Sequence, residues 1–124
     1  MIDFTNGTFV KLSESRYREF QDVIDPILVD GETVLLTYKG IRDGVIFTSK
    51  RILAINVQGY TGKKVDISSL PYSRIQAYST ETAGTFDLDS ELELWFSGLG
   101  KVKLEFTRNA NIAALCKLIG EKIL

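Results

Sequence analysis

Apolar positions change their period twice along the chain. From residue 13 to about residue 25, Tyr17, Phe20, Ile24, Ile27 and Leu28 follow one another at offsets of three, four, three and one, which is a stripe along one side of a helix. Ser13 stands where an N-cap is expected, and Glu14 falls in the first turn, where negative charge suits the helix dipole. Pro26 should end or kink the helix, because proline disfavours α geometry at the residue before it. From Glu32 to Thr107 the period shortens to two. Residues 33–39, 44–48, 51–57, 64–68, 74–80, 91–96 and 101–106 read as strands, separated by turn residues such as Lys39-Gly40, Gln58-Gly59, Leu70-Pro71, Ala83-Gly84 and Gly98-Leu99-Gly100. Seven strands with no helix between them predict an antiparallel barrel or sandwich, not βαβ units. The expected division is an N-terminal segment, 1–31, whose amphipathic helix packs on a β domain, 32–124.

The last hairpin can be argued to its register. Leu92, Leu94 and Phe96 alternate with Glu91, Glu93 and Trp95, and Val102, Leu104 and Phe106 with Lys101, Lys103 and Glu105. Opposed residues share a face, so the loop holds an odd number of residues. The shortest fit is Gly98-Leu99-Gly100, with Gly100 free to take positive φ; Leu94 then faces Leu104, Trp95 faces Lys103, and Glu93 faces Glu105. After Asn109 or Asn111 as cap, Ile112, Leu115, Cys116, Ile119 and Ile123 line one face of a closing helix that suits the open end of a barrel. Cys116 falls on that stripe as a small core residue.

Composition removes whole classes of chemistry. The 124 residues make one domain, long enough to bury a core without staples. With no histidine and a single cysteine, the chain can form neither an internal disulfide nor a His- or Cys-based metal site or catalytic pair. Fifteen Lys plus Arg against sixteen Asp plus Glu leave a net charge of −1, which argues against nucleic acid as a partner. The first residues lack the basic and apolar regions of a signal peptide, and no apolar run approaches the roughly 18 residues of a membrane-spanning helix, so a soluble cytoplasmic protein is expected.

The glycines of Gly59-Tyr60-Thr61-Gly62-Lys63-Lys64 are too close for a phosphate loop, and no Ser or Thr follows the lysine; the segment is a turn. Asp87, Asp89, Glu91 and Glu93 form an acidic row, but Leu92 stands where an EF-hand turn needs glycine. The row is a solvated strand face, a patch for a basic surface of another subunit, or a site for a divalent cation. Alternation places Trp95 among these carboxylates, where it is either a contact anchor or a ring covered by the N-terminal helix. Lys39 and Arg42 flank one tight turn that could hold an anion. No carboxylate pair has surroundings that would separate an acid from a base, so catalysis is not expected.

The segments Ile41-Arg42-Asp43, Phe47-Thr48-Ser49-Lys50-Arg51, the run from Gln58 to Val65, Ser69-Leu70-Pro71-Tyr72-Ser73-Arg74-Ile75, the run from Glu81 to Leu92, Trp95 and Ser97-Gly98 stand in an order that resembles the bacterial pleckstrin-homology (PH) domain family. The resemblance implies a PH-like fold of seven antiparallel strands in two nearly orthogonal sheets, closed by the C-terminal helix. It also implies a homo-oligomer, as in ring-forming members. Separately, no cofactor is expected. Eukaryotic lipid-binding PH domains carry several cations on the turn between strands one and two. Here that turn is short and offers only Lys39 and Arg42, so phosphoinositide binding is not carried over.

The resulting expectation is a non-catalytic PH-like binding or scaffold module that self-associates. Asp87, Asp89, Glu91, Glu93, Trp95 and Lys103 would meet a surface bearing Arg51, Lys63 and Lys64 on the next copy. The alternative is capture of a peptide or small anion at a sheet edge or at the Lys39/Arg42 turn.

Overall fold

A computed structural model describes residues 1–6, 9–86 and 88–124. Among them, eight strands form two antiparallel sheets. The first sheet has the order β1 (Ser13–Glu14), β2 (Val34–Lys39), β3 (Gly44–Thr48), β4 (Arg51–Gln58) and β5 (Lys64–Pro71). The second comprises β6 (Ile75–Glu81), β7 (Ser90–Phe96) and β8 (Gly100–Phe106), and the chain closes with helix α2 (Ile112–Ile123). All seven strands expected from the alternation are present, and β1 is an addition.

The main core lies where the inward residues of both sheets meet. Val45, Phe47 and Ile52 come from the first sheet, and Leu92, Leu94, Val102, Leu104 and Phe106 from the second. Each such side chain contributes about 1.5–3 kcal/mol by leaving water. Helix α2 stoppers this core with Leu115 and Ile119, both fully buried. Of the two candidate caps, Asn111 serves: its Oδ1 accepts a hydrogen bond from the Ala114 N–H at 3.0 Å. Cys116 departs from expectation. It is only half-buried at the margin of the helix stripe, facing β6 rather than the core.

The N-terminal stripe does not form one helix. Ser13 and Glu14 pair with Lys39 and Tyr38 of β2, and the Ser15 N–H continues that pairing to the Thr37 carbonyl at 2.9 Å. Ser13 is thus a strand residue, not an N-cap. Beyond Arg16 the chain forms a 3-10 turn (Tyr17–Glu19), a four-residue helix α1 (Gln21–Ile24) and another 3-10 turn (Asp25–Ile27). Phe20, at φ −123° and ψ 5°, interrupts helical geometry between the first two. The stripe still buries Phe20 and Ile24, but against Ile46, Leu53 and Ile55 on the outer face of the first sheet. That second small core explains why every residue of β3 is buried, since the strand is covered on both faces.

The residues before β1 tie the two sheets together. The Leu12 N–H donates to the Glu105 carbonyl and the Thr107 N–H to the Leu12 carbonyl, each at 2.9 Å, while the Phe9 carbonyl accepts from the Glu105 N–H at 3.1 Å. One residue later the chain joins β2, after Lys11 has passed through a left-handed conformation at φ 53°. Phe9 and Leu12 are buried in the main core, so the first 31 residues supply part of the same core as the β domain. This strap covers the outer edge of β8. At the opposite edge of the second sheet, β6 pairs with no strand but β7 among the described residues.

Candidate functional site

Strand β6 separates two surfaces. On the outer face of the second sheet, Ala77 lies opposite Trp95 and Ser79 opposite Glu93, with Lys101 and Lys103 on β8 beyond. Trp95 is 49% exposed. The N-terminal helix packs on the first sheet and does not cover the indole.

The β7–β8 register differs from expectation by two residues. Gly100, at φ 97°, is already opposite Phe96, so the loop is Ser97-Gly98-Leu99. Leu94 therefore faces Val102, Trp95 faces Lys101, and Glu93 faces Lys103. A shift of two keeps every side chain on its expected face. It also gives the acids partners: Lys103 Nζ lies 3.1 Å from Glu91 Oε1, and Lys101 Nζ 3.8 Å from Glu93 Oε1. The hydrogen bond and charge of Glu91 raise the Lys103 ammonium. The like-charge pair is Glu91 opposite Glu105, not Glu93. Burial, a hydrogen bond with Asp89 and the negative charges of Asp89 and Glu91 push the Glu105 carboxyl up, with Lys103 opposing. Asp87, also in the expected acidic row, lies outside the described residues.

On the inner side of β6, Tyr78 and Thr80 face α2 across an open groove of about 640 Å³. Ile112, Ala113 and Cys116 form its apolar wall, and Lys117 and Glu121 stand at its rim. Gly120 allows the close approach: a Cβ there would sit 3.1 Å from the Tyr78 hydroxyl. Thr82 marks the end where the chain leaves for β7, and on that connection Phe86 is wholly exposed. The turn signal at Ala83-Gly84 marked this connection in sequence, but nothing local distinguished Phe86 from a core aromatic.

Of the three expected basic groups, Arg51 is committed elsewhere. Arg51 Nε lies 2.9 Å from Glu32 Oε2, and the same guanidinium donates to Ser69 Oγ and the Ile27 carbonyl. Its side chain is 19% exposed and that of Glu32 is fully buried, so Arg51 holds the fold together and does not present a charge outward. Burial alone would raise the Glu32 carboxyl, but hydrogen bonds from Arg51, Thr48 and the Val29 N–H outweigh it and hold the group at about 2.

Arg42 is also occupied. Nη1 donates to the Gly59 carbonyl at 2.8 Å and Nη2 to the Val57 carbonyl at 2.9 Å, stitching the β2–β3 turn to the end of β4. Lys39 pairs with Glu19 at 3.1 Å. Both cations of the turn thus already have partners within the chain. Lys63 and Lys64 are exposed. Neither Glu32 nor its pairing with Arg51, nineteen residues away, was legible in the sequence.

Among the described residues, no helix is long and apolar enough to cross a membrane. The fold and sequence have clear relatives. The Bacillus subtilis (strain 168) protein YjqA is 39% identical over 120 residues, which are 95% of this chain and 96% of YjqA. The crystal structure of a protein with a pleckstrin-homology domain from Shewanella loihica superposes with a TM-score of 0.81 at 39% identity, covering 93% of this chain and 99% of that one. A pleckstrin-homology domain structure from Shewanella amazonensis gives 0.68 at 42% identity, over 90% and 91% of the two chains. The bacterial PH domain pattern itself runs through residues 3–123, from the N-terminal strap through both sheets to the last turn of α2, and the chain belongs to that family.

Proposed function

We propose that this PH-fold chain is a non-catalytic interaction module that self-associates into a homo-oligomer, with β6 and its flanks as the contact region. The observation that carries this reading is Trp95, a half-exposed indole above Ala77, beside a sheet edge that no other strand covers among the described residues. Large aromatics are the residues that anchor contacts, and an open strand edge is a template for pairing. Contact between unlike patches of identical copies runs head to tail and closes into a ring when the rotation permits.

The electrostatic part of the contact is smaller than the sequence suggested. Glu91 and Glu93 have lysines on their own face, and Arg51 is turned inward. Lys63 and Lys64 remain as exposed cations for a neighbour. Assembly should therefore weaken only modestly as salt rises.

Native mass spectrometry and sedimentation velocity test the proposal. The expected result is a discrete oligomer at about 50 µM, where a contact worth about 6 kcal/mol is half-formed. A monomer at that concentration rejects self-association.

A second reading, capture of an extended peptide from another protein, is favoured by the groove beside the same edge. It predicts a monomer that captures a strand-forming peptide, with the peptide contacting β6. Capture of a small anion at Lys39 and Arg42 loses its basis, because both cations have internal partners.

A further inference from the structure

Phe86 is fully exposed on the β6–β7 connection, and Leu88 two residues later is 44% exposed. A whole phenyl ring in water forfeits the burial of roughly 150–250 Å² of surface. The segment is acidic by sequence, with Asp87 and Asp89 around Leu88. The groove between β6 and α2 has complementary properties. Its wall is apolar, through Tyr78, Ile112, Ala113 and Cys116, and Lys117 stands at its rim. Glu121 lies one helical turn beyond Lys117, so an acidic segment is favoured in one orientation and repelled in the other.

We infer that the Phe86 segment of one copy seats in the β6–α2 groove of the next copy, with the phenyl ring against Tyr78 and Cys116 and the acidic flank toward Lys117. This rests on the self-association proposed above and names its contact. The segment runs beside the open edge of β6, which adds main-chain hydrogen bonds to the apolar contact. Donor segment and acceptor groove are different patches, so each copy gives one and receives one.

The chain carries its own probe, because its single cysteine, Cys116, lines the groove. Thr85 and Leu88 flank Phe86 and are both exposed. Thr85→Cys and, separately, Leu88→Cys keep the phenyl anchor while placing a thiol beside it. Mild oxidation of the assembled protein with diamide should give a ladder of covalent oligomers on a non-reducing gel. Reductant should collapse it, and Cys116→Ser should prevent it.

Phe86→Ala should weaken assembly by about tenfold or more, as loss of an aromatic anchor does. Ala113→Glu, at an exposed position on the groove wall, should do the same without changing the thermal midpoint of the monomer. A disulfide formed only within one chain would place the segment in its own groove and overturn the inference. An oligomer that shows no crosslink from either cysteine and is unaffected by Phe86→Ala would also overturn it, while leaving self-association intact. A wild-type monomer at about 50 µM would remove both.

Discussion

The ring of Phe20 fills the space that a side chain at Gly44 would need: a Cβ at that position would lie 2.3 Å from the phenyl Cζ. The helix α1 segment can rest on the outer face of β3 only because the strand begins with a bare backbone. Phe20 is itself buried against Ile46 and Ile55, so displacing the ring would disturb that packing.

Gly44→Ala is therefore expected to cost about 1–3 kcal/mol, the range for forcing extra volume into a packed site. Chemical denaturation would read this as a lower midpoint with an unchanged slope. The double variant Gly44→Ala/Phe20→Leu should recover part of the loss relative to the sum of the single changes, because the two residues share one space. Strict additivity would show that the contact is not what fixes glycine here.

The Glu32–Arg51 pair predicts an acid limb. An ordinary glutamate carboxyl titrates near 4.5, and that of Glu32 is held at about 2, so the fold gains stability from it above pH 4.5 and loses it as pH falls toward 2. The integrated effect is on the order of 3 kcal/mol. Thermal midpoints measured from pH 7 down to pH 2.5 should fall steeply below about 4.5 in the wild type. Glu32→Gln should lower the plateau and flatten that acid limb, since it removes the titrating group and leaves the guanidinium without its countercharge. Replacing both partners, as in Glu32→Leu/Arg51→Met, should cost less than removing Glu32 alone. An acid limb of unchanged steepness in Glu32→Gln would assign the titration to another carboxylate.

These two contacts show what could be read from the sequence and what could not. Alternation is a local property, so it located every long strand, and it put Leu92, Leu94 and Phe96 inward and Trp95 outward. It fixes only parity, however. The absolute register of β7 and β8 depends on where the turn tightens, and Gly100 at positive φ opposite Phe96 moved it by two residues. The N-terminal stripe failed for the opposite reason. Its spacing suits a helix, but Ser13 to Ser15 find backbone partners on β2 more than twenty residues away, and long-range pairing overrides local period. The candidate cations Arg42 and Arg51 looked available because a sequence shows charge without its partner. Folding brings carbonyls 57 and 59 to one and Glu32 to the other.

Arg42 gives a test that separates stitching from ligand binding. A lysine keeps the charge but cannot span two carbonyls with a planar fork. Arg42→Lys should loosen the 57–62 segment, seen as faster amide hydrogen exchange there, with a global loss of about 1–2 kcal/mol for two charge-assisted bonds at an exposed site. Loss of an anion contact alone would leave exchange in that segment unchanged. Unchanged exchange in Arg42→Lys would mean that the two hydrogen bonds contribute nothing to the fold.

Trp95 is the only tryptophan, so intrinsic fluorescence reports directly on the outer face of β6–β8. At its observed exposure, Trp95→Ala should cost the monomer little, within about 1 kcal/mol, as surface substitutions do. Its effect on assembly should be larger, because truncating an aromatic at the centre of a contact typically costs about 2 kcal/mol or more of binding. In the wild type, dilution should red-shift the emission and raise acrylamide quenching as the indole returns to water. The shift should follow the same concentration dependence as the mass distribution. If emission stayed constant while the oligomer dissociated, the indole would not be part of the contact, and the neighbour would have to meet β6 from the α2 side alone.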